Sequence, residues 1–156
     1  MDVTRRCDYA CRILQAAYRN GEAYMSVSEI ADQQGIPYAF ARSIQHDLVK
    51  SGGLVLDCDP ASTTMLDVLE SIQGPVSISA CVLDPTCCER QAGCDYNKVW
   101  QGADRLLNAY FSSITLEELF EQGVKHPAVS AAITCQHIPA NGSHCGARKL
   151  SVEAAG

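Results

Sequence analysis

Nine cysteines stand in this chain of 156 residues, and four of them crowd one short segment. Cys81, Cys87, Cys88 and Cys94 lie within 14 residues. Because nine is odd, the cysteines cannot all pair within one chain. The N-terminal residues carry charge where a signal peptide needs an apolar segment, so we expect a cytoplasmic protein. In that reducing compartment, thiols this close in sequence bind metal or perform redox chemistry more often than they form disulfides.

The spacing of these cysteines favours an iron–sulfur cluster over a zinc ion, although thiolates suit both. Structural zinc sites usually pair cysteines across a gap of about two to four residues, whereas the gaps on either side of Cys87-Cys88 are five residues long. Three converging sulfurs would leave one position of a cluster for a ligand from elsewhere. Cys7, Asp8 and Cys11 on a predicted first helix are candidates. A set of buried or disulfide-prone cysteines is the alternative.

The N-terminal part of the chain has the pattern of a helix-turn-helix. We predict helices over residues 4–19 and 28–34, the second with Ser28 as its N-cap, and a third that opens at Ile36-Pro37 after Gly35. In a helix-turn-helix the last helix enters the major groove of DNA, whereas a plain three-helix bundle is the alternative. The candidate DNA-contacting residues are Ser28, Tyr38, Ala39, Arg42, Ser43, His46 and Lys50.

Charge neither demands nor excludes a nucleic-acid partner. The formal net charge is -6, but residues 1–52 contain six basic and six acidic side chains. The acidic excess therefore follows the predicted DNA-binding half, and that half exerts no net pull on a duplex.

The second half of the chain predicts a dimer. We expect a short strand over residues 53–57, a helix capped by Thr63 or Thr64, and a long amphipathic helix capped by Asp95 that reaches about Ser113. A short helix over residues 115–121 should follow, with Thr115 and Glu118 at capping-box spacing. A long amphipathic helix needs a surface to bury against, and a second copy of itself is the simplest one, which predicts a homodimer. The fold class is mainly α with a small β element (α+β). We expect residues 1–60 to form the helix-turn-helix DNA-binding domain, 61–122 to carry the cysteine loop and dimerisation helix, and 123–156 to form a flexible tail.

Other functional classes have little support. No run approaches the ~18 apolar residues that a membrane span needs. No glycine-rich phosphate loop or nucleophile–base arrangement is convincing, so we do not expect an enzyme. Cys135, His137, His144 and Cys145 form a second possible metal group, in which we favour a flexible tail with incidental ligands.

Together these segments resemble the Rrf-two (Rrf2) family of winged-helix repressors, which includes IscR-like and NsrR-like regulators. The resemblance runs from Thr4 to about Phe120, and the order of its pieces is more specific than any one of them. Thr4-Arg-Arg-Cys-Asp-Tyr-Ala-Cys-Arg-Ile-Leu14 looks like the family's opening Thr-x-x-x-Asp-Tyr-Ala-x-Arg signature. Ser28-Glu-Ile-Ala-Asp-Gln-Gln-Gly-Ile-Pro37 is similar to its helix-turn-helix, and Leu66-Asp-Val-Leu-Glu-Ser-Ile-Gln-Gly-Pro75 to its helix before the cysteines.

The resemblance implies a DNA-binding repressor that acts as a homodimer with crossing long helices. It implies a cluster at the dimer interface that senses nitric oxide, redox state or iron. The ligands would be Cys81, either Cys87 or Cys88, and Cys94.

The two groups of the family differ in their fourth ligand. IscR-like members have a histidine three residues after the last cysteine, where this chain has Asn97. NsrR-like members use an aspartate on the first helix, which Asp8 matches. The resemblance therefore implies Asp8 of the partner subunit as fourth ligand, with Cys7 as the alternative, and a [4Fe-4S] rather than a [2Fe-2S] cluster.

The chain departs from the family at the wing. Gly52 runs directly into residues 53–57, and five residues cannot form two paired strands with a turn. Either the wing is lost or the chain omits it. The alternative functions are a cluster-free repressor of the same family, which would respond to a metabolite or thiol stress, and a small iron–sulfur electron carrier.

Overall fold

The computed structural model describes residues 2–21, 25–48 and 58–134, and this part of the chain is mainly helical. Within it the strand-type pairing is confined to an isolated antiparallel bridge between Thr64 and Thr115. The mainly helical class is confirmed, whereas the predicted strand over residues 53–57 and the wing lie outside the described residues. The helices are α1 Arg5–Asn20, α2 Val27–Gln34, α3 Tyr38–Leu48, α4 Met65–Gln73, α5 Ala80–Leu83, α6 Asp95–Ser112, α7 Leu116–Gln122 and α8 Pro127–Thr134, with 3-10 turns at Gln91–Gly93 and Gly123–Lys125.

Helix α1 begins and ends close to its predicted limits. Thr4 is the N-cap, and its hydroxyl accepts a hydrogen bond from the backbone N–H of Cys7 at 3.4 Å. Gly21 ends the helix at φ 65°, a backbone conformation that glycine adopts without a steric penalty.

The N-cap of helix α2 is Ser26, so the prediction of Ser28 is wrong. The Ser26 hydroxyl accepts from the backbone N–H of Glu29 at 3.3 Å, and the Glu29 carboxylate accepts from the backbone N–H of Ser26 at 2.8 Å. This reciprocal capping box needs a carboxylate or amide three residues after the cap. Ser28 has the buried Ala31 at that spacing and is instead an exposed residue of the first turn.

Helices α1, α2 and α3 enclose a common apolar core. Ile13, Ile30 and Ile44, one from each helix, are fully buried. Gly35 turns the chain between α2 and α3 in the left-handed conformation, with φ 63° and ψ 36°. The tight turn lets both helices pack on α1, which is the arrangement of a helix-turn-helix. The other buried residues of this core are Ala10, Ala16, Ala31, Ile36 and Ala41.

Helix α1 also packs against the second half of the chain. Thr64 and Thr115 cap α4 and α7 as predicted, and two backbone hydrogen bonds of 2.9 Å join the starts of these helices. Leu14 of α1 packs with Val68 of α4 and Leu116 of α7. A displacement of α1 would therefore alter the packing in both halves of the chain.

Two features of the second half differ from the prediction. Cys94, rather than Asp95, is the N-cap of α6. Residues 127–134 form helix α8, although a tail without regular structure was predicted from residue 123. The buried His126 accounts for the helix, because its Nδ1 accepts the backbone N–H of Ala128 at 3.2 Å while its Nε2 lies 3.3 Å from a carboxylate oxygen of Glu118. Residues 135–156 lie outside the described residues.

Candidate functional site

Helix α3 presents an exposed face opposite its buried Ile44. Tyr38, its first residue, is 50% exposed, and Ala39, Arg42 and His46 are exposed as well. The Arg42 guanidinium donates a hydrogen bond to the Tyr38 hydroxyl at 3.3 Å, so these side chains lie together. Four predicted DNA-contacting residues therefore share one accessible helix face.

The other three predicted DNA contacts have different surroundings. Ser43 accepts two hydrogen bonds from the Arg6 guanidinium, at its hydroxyl (3.0 Å) and its backbone carbonyl (3.3 Å), which join α3 to α1. Ser28 is exposed on α2, with its hydroxyl 3.3 Å from that of Ser26. Lys50 lies outside the described residues.

The cysteine loop, residues 81–94, runs from α5 to the start of α6. Cys81 lies in α5 and is partly exposed, whereas Cys87 and Cys88 are exposed. Cys94 is partly exposed at the N-cap of the 18-residue helix α6.

Two polar side chains act on the Cys81 sulfur. The Ser79 hydroxyl lies 3.1 Å from it, and the Asn97 amide donates to it at 3.3 Å. The hydrogen bonds from Ser79 and then from Asn97 lower the pKa of the Cys81 thiol, because they stabilise the thiolate. The two contacts therefore favour the thiolate form of Cys81.

The Cys87 thiol is affected by its neighbours in the loop. Loss of hydration raises its pKa first, followed by the negative charges of Asp84, Cys81 and Cys88. Cys87 therefore lies within electrostatic reach of both Cys81 and Cys88. A bound cationic group would turn this repulsion into attraction.

The candidate donors on α1 differ in exposure. Cys7 is fully buried and donates a hydrogen bond to the Gln73 side-chain carbonyl at 3.0 Å. Burial, then the charges of Cys7 and Asp8, raises the pKa of Cys11 to about 11. Asp8 is exposed, and its carboxylate pairs with Arg12 at 2.9 Å. Of these three donors, Asp8 is the most exposed and Cys11 is partly buried.

Within the described ranges, no three histidine, cysteine or acidic side chains gather closely enough to hold a single metal ion. The charges of Cys81 and Cys88 reach Cys87, but the described residues of the loop do not form the compact shell of a zinc site. The second possible metal group, formed by Cys135, His137, His144 and Cys145, lies outside the described residues.

The residues that contact Cys81 were not predicted from the sequence. Asn97 stood out only as the replacement of a histidine, yet it is 4% exposed and contacts Cys81. The Gln91 amide donates to the Cys81 carbonyl at 2.6 Å. A signal existed for Asn97, because a side chain three residues after Cys94 lies in the first turn of α6 and points back toward the preceding loop.

The helical fold and the exposed face of α3 are those of a helix-turn-helix regulator. Residues 3–122 match the model of the Rrf2 family, described as iron-dependent transcriptional regulator. Because this match spans most of the chain, the protein belongs to the Rrf2 family, and the resemblance seen in the sequence is confirmed.

Individual relatives agree with this assignment. An HTH-type transcriptional regulator of Aquifex aeolicus (strain VF5) is 25% identical over 130 residues, which cover 76% of this chain and 90% of that protein. The structure of CymR, the global cysteine regulator of B. subtilis, matches with a TM-score of 0.62 at 21% identity, over 78% of this chain and 97% of CymR. A transcriptional regulator from Lactobacillus plantarum matches with a TM-score of 0.58 at 17% identity, over 83% of this chain and 97% of that one. At these identities the two structures show the fold alone.

Family membership makes this chain a transcription regulator that binds DNA. Regulators of this family are not enzymes, which is consistent with the sequence-based expectation. In the ranges that the structure describes, no helix combines the length and apolar character needed to cross a bilayer.

Proposed function

We propose that this protein is a homodimeric repressor whose binding to its operator DNA is switched by an iron–sulfur cluster. The cluster is [4Fe-4S] rather than [2Fe-2S] and responds to nitric oxide, redox state or iron. The observation that carries the proposal is the cysteine loop beside the start of α6, where the Cys81 sulfur contacts Asn97 and the charges of Cys81 and Cys88 affect the pKa of Cys87. Residues 1–60 bind DNA, and residues 61–122 hold the cluster and the second subunit.

Base recognition rests on the exposed face of α3. Arg42 and Tyr38 lie together on it, and an arginine at such a position can bond two acceptors of one guanine. Arg42→Ala should weaken operator binding by about 1–3 kcal/mol and relax its specificity. The matched control is Arg19→Ala, an exposed arginine at the far end of α1. Equal losses in both variants, measured by fluorescence anisotropy, would exclude Arg42 from base recognition.

The donor set fits an iron–sulfur cluster. Soft thiolates are its usual ligands, and donors that are neighbours without surrounding one small ion suit a group of several irons. We assign Cys81, Cys94 and either Cys87 or Cys88 as ligands, since both members of the adjacent pair are exposed. When bound, the cluster supplies the reactivity toward oxidants and nitric oxide.

The fourth ligand is Asp8 of the partner subunit. The burial of Cys7 argues against the alternative, since it would have to leave its own core to reach a second chain. The Asp8–Arg12 ion pair is about half exposed, and such a surface pair contributes little stability. Asp8 can therefore exchange Arg12 for iron at small cost.

Helix α6 supplies the dimer contact. Tyr96, Val99 and Leu106 are 74%, 60% and 74% exposed on this amphipathic helix. Large apolar side chains this exposed on one helix face mark an interaction surface. A second copy is the occupant that also brings an Asp8 to the loop, and two-fold dimers are the commonest assemblies.

Helix α1 couples the two sites. Asp8 would bind the partner's cluster, while Arg6, two residues earlier, holds Ser43 on α3. Gain or loss of the Asp8 bond would displace α1 and, with it, the recognition helix α3. This is a two-state element that both ligands can bias.

A cluster-free regulator is the second candidate. CymR, whose fold this chain shares, is named as a cysteine regulator. In this case the exposed Cys87 and Cys88 would respond to thiol stress without iron.

Anaerobic purification separates these functions. We expect a brown protein with about four iron and four sulfide ions per chain that binds DNA from its own upstream region. A colourless, iron-free protein that still binds the operator would refute the cluster and favour the second candidate. A brown protein without sequence-specific binding would favour an electron carrier.

Single substitutions then identify the ligands. Cys81→Ala and Cys94→Ala should abolish iron retention, because no neighbouring thiol replaces either sulfur, whereas Cys58→Ala should retain it as a control outside the loop. Asp8→Ala should yield a cluster that is lost faster in air. Normal iron content in Cys81→Ala or Cys94→Ala would refute the ligand set, and an unchanged loss rate in Asp8→Ala would move the fourth ligand elsewhere.

A further inference from the structure

The side-chain amide of Asn97 makes hydrogen bonds to the cysteine loop and to its own helix. Its nitrogen donates to the Cys81 sulfur at 3.3 Å and to the Cys81 carbonyl at 3.2 Å, and its oxygen accepts from the Gln101 amide at 2.7 Å. The side chain is 4% exposed, although it lies in the first turn of a helix whose neighbouring residues are exposed. Both N–H groups are used, so a reversed amide would place its oxygen against the Cys81 carbonyl.

Further polar side chains contact Cys81. Ser79 lies 3.1 Å from the same sulfur, and Gln91 donates to the Cys81 carbonyl at 2.6 Å. Cys87 and Cys88, by contrast, are exposed. Cys81 therefore has two polar side chains, Ser79 and Asn97, at its sulfur and a third, Gln91, at its carbonyl.

We propose that Asn97 is a positioning residue for the cluster, which fixes the Cys81 sulfur and donates an N–H···S hydrogen bond to it in the loaded protein. The inference rests on the proposed function and deepens it. Partners behind the ligands orient them and tune the bound metal. Hydrogen bonds to the sulfurs are one of the factors that set the reduction potential of a cluster, because they stabilise its more negative, reduced state. Asn97 thus raises the reduction potential of the cluster, in addition to positioning the Cys81 sulfur.

The decisive variant is Asn97→Asp, which keeps the side-chain shape but replaces the N–H donors with a carboxylate oxygen. In protein reconstituted with iron and sulfide, we expect the reduction potential to fall and cluster affinity to drop by about 10–100-fold. Ser79→Ala, which removes the other polar contact to the sulfur, should shift the potential in the same direction and is less disruptive to packing. Asn108→Asp is the matched control on the same helix, since the Asn108 amide donates to the Val76 and Asp104 carbonyls and to no sulfur. Unchanged potentials in both Asn97→Asp and Ser79→Ala, or an equal shift in Asn108→Asp, would overturn the proposal.

A second measurement uses the iron-free protein. The side-chain amide resonances of Asn97 should shift when Cys81 is replaced by alanine, whereas those of Asn108 should not. No shift at Asn97 would overturn the contact on which the proposal depends. If the wild-type protein takes up no cluster but this shift is present, the proposed cluster function and the tuning role fail while the Asn97–Cys81 contact is upheld.

Discussion

Replacement of Ile44 by alanine should loosen the contact that holds the recognition helix α3 against α1 and α2. Ile44 is 0% exposed, and it packs in the same core as Ile13 and Ile30. The substitution removes three carbon atoms from a close-packed site, so it costs hydrophobic burial and leaves a cavity.

The expected loss can be worked from the missing atoms. Three buried carbons at about 0.8 kcal/mol each correspond to about 2.4 kcal/mol, and the cavity raises the total to about 3 kcal/mol, within the range of ~2–5 kcal/mol for such substitutions. For a chain of this size, about 3 kcal/mol lowers Tm by roughly 6–12 °C. A domain with about 5–15 kcal/mol of stability remains folded at low temperature, so operator binding should persist there.

Thermal and urea unfolding, followed by circular dichroism, measure this loss. Ile133→Ala is the matched control, because Ile133 on α8 is 68% exposed, and surface substitutions usually change stability by less than about 0.5 kcal/mol. If Ile44→Ala lowers Tm no more than Ile133→Ala does, then Ile44 is not part of the core, and the packing of α3 against α1 and α2 described above is wrong.

Substitution of Ser26 by alanine removes the N-cap of α2 and should lower the free energy of unfolding by about 1 kcal/mol in urea titrations; an unchanged midpoint would mean that Ser28 can cap the helix. Hydrogen bonds from the Ser26 side chain, then from its backbone, lower the pKa of Glu29 below the ordinary value of 4.5. The stability from ionised Glu29 is therefore present above about pH 4.5 and is lost as the pH falls toward the lowered pKa of the folded state. Glu29→Gln, which keeps the capping box, should lose less stability than the wild type between about pH 6 and pH 3, and equal losses would exclude Glu29 as a source of acid sensitivity. Leu106→Glu should shift the protein from dimer to monomer in sedimentation velocity, whereas Val124→Glu, at a residue 72% exposed outside α6, should not; a dimeric Leu106→Glu variant would remove this face from the interface.

The local features of the fold could be predicted because they depend on residues within about one helical turn. Thr4, Thr64 and Thr115 cap their helices through bonds to residues three positions later. The turn between α2 and α3 follows from Gly35, because its left-handed backbone conformation is one that glycine adopts without a steric penalty. The same local reasoning was wrong at Ser28, because Ser26 has the glutamate at the required spacing and Ser28 does not.

The candidate site could be predicted in its residue types but not in its geometry. The crowded thiols, the helix-turn-helix and the family follow from the order of residues alone. Tertiary packing, by contrast, sets the burial of Cys7 beside the exposed Asp8, the contact of Asn97 with Cys81, and the helix that follows Lys125. Cys7 is buried against Leu69 and Val76 and bonds to Gln73, 66 residues away. Such contacts depend on how distant segments pack, and periodicity along one helix carries no information about which of its faces a remote segment will cover.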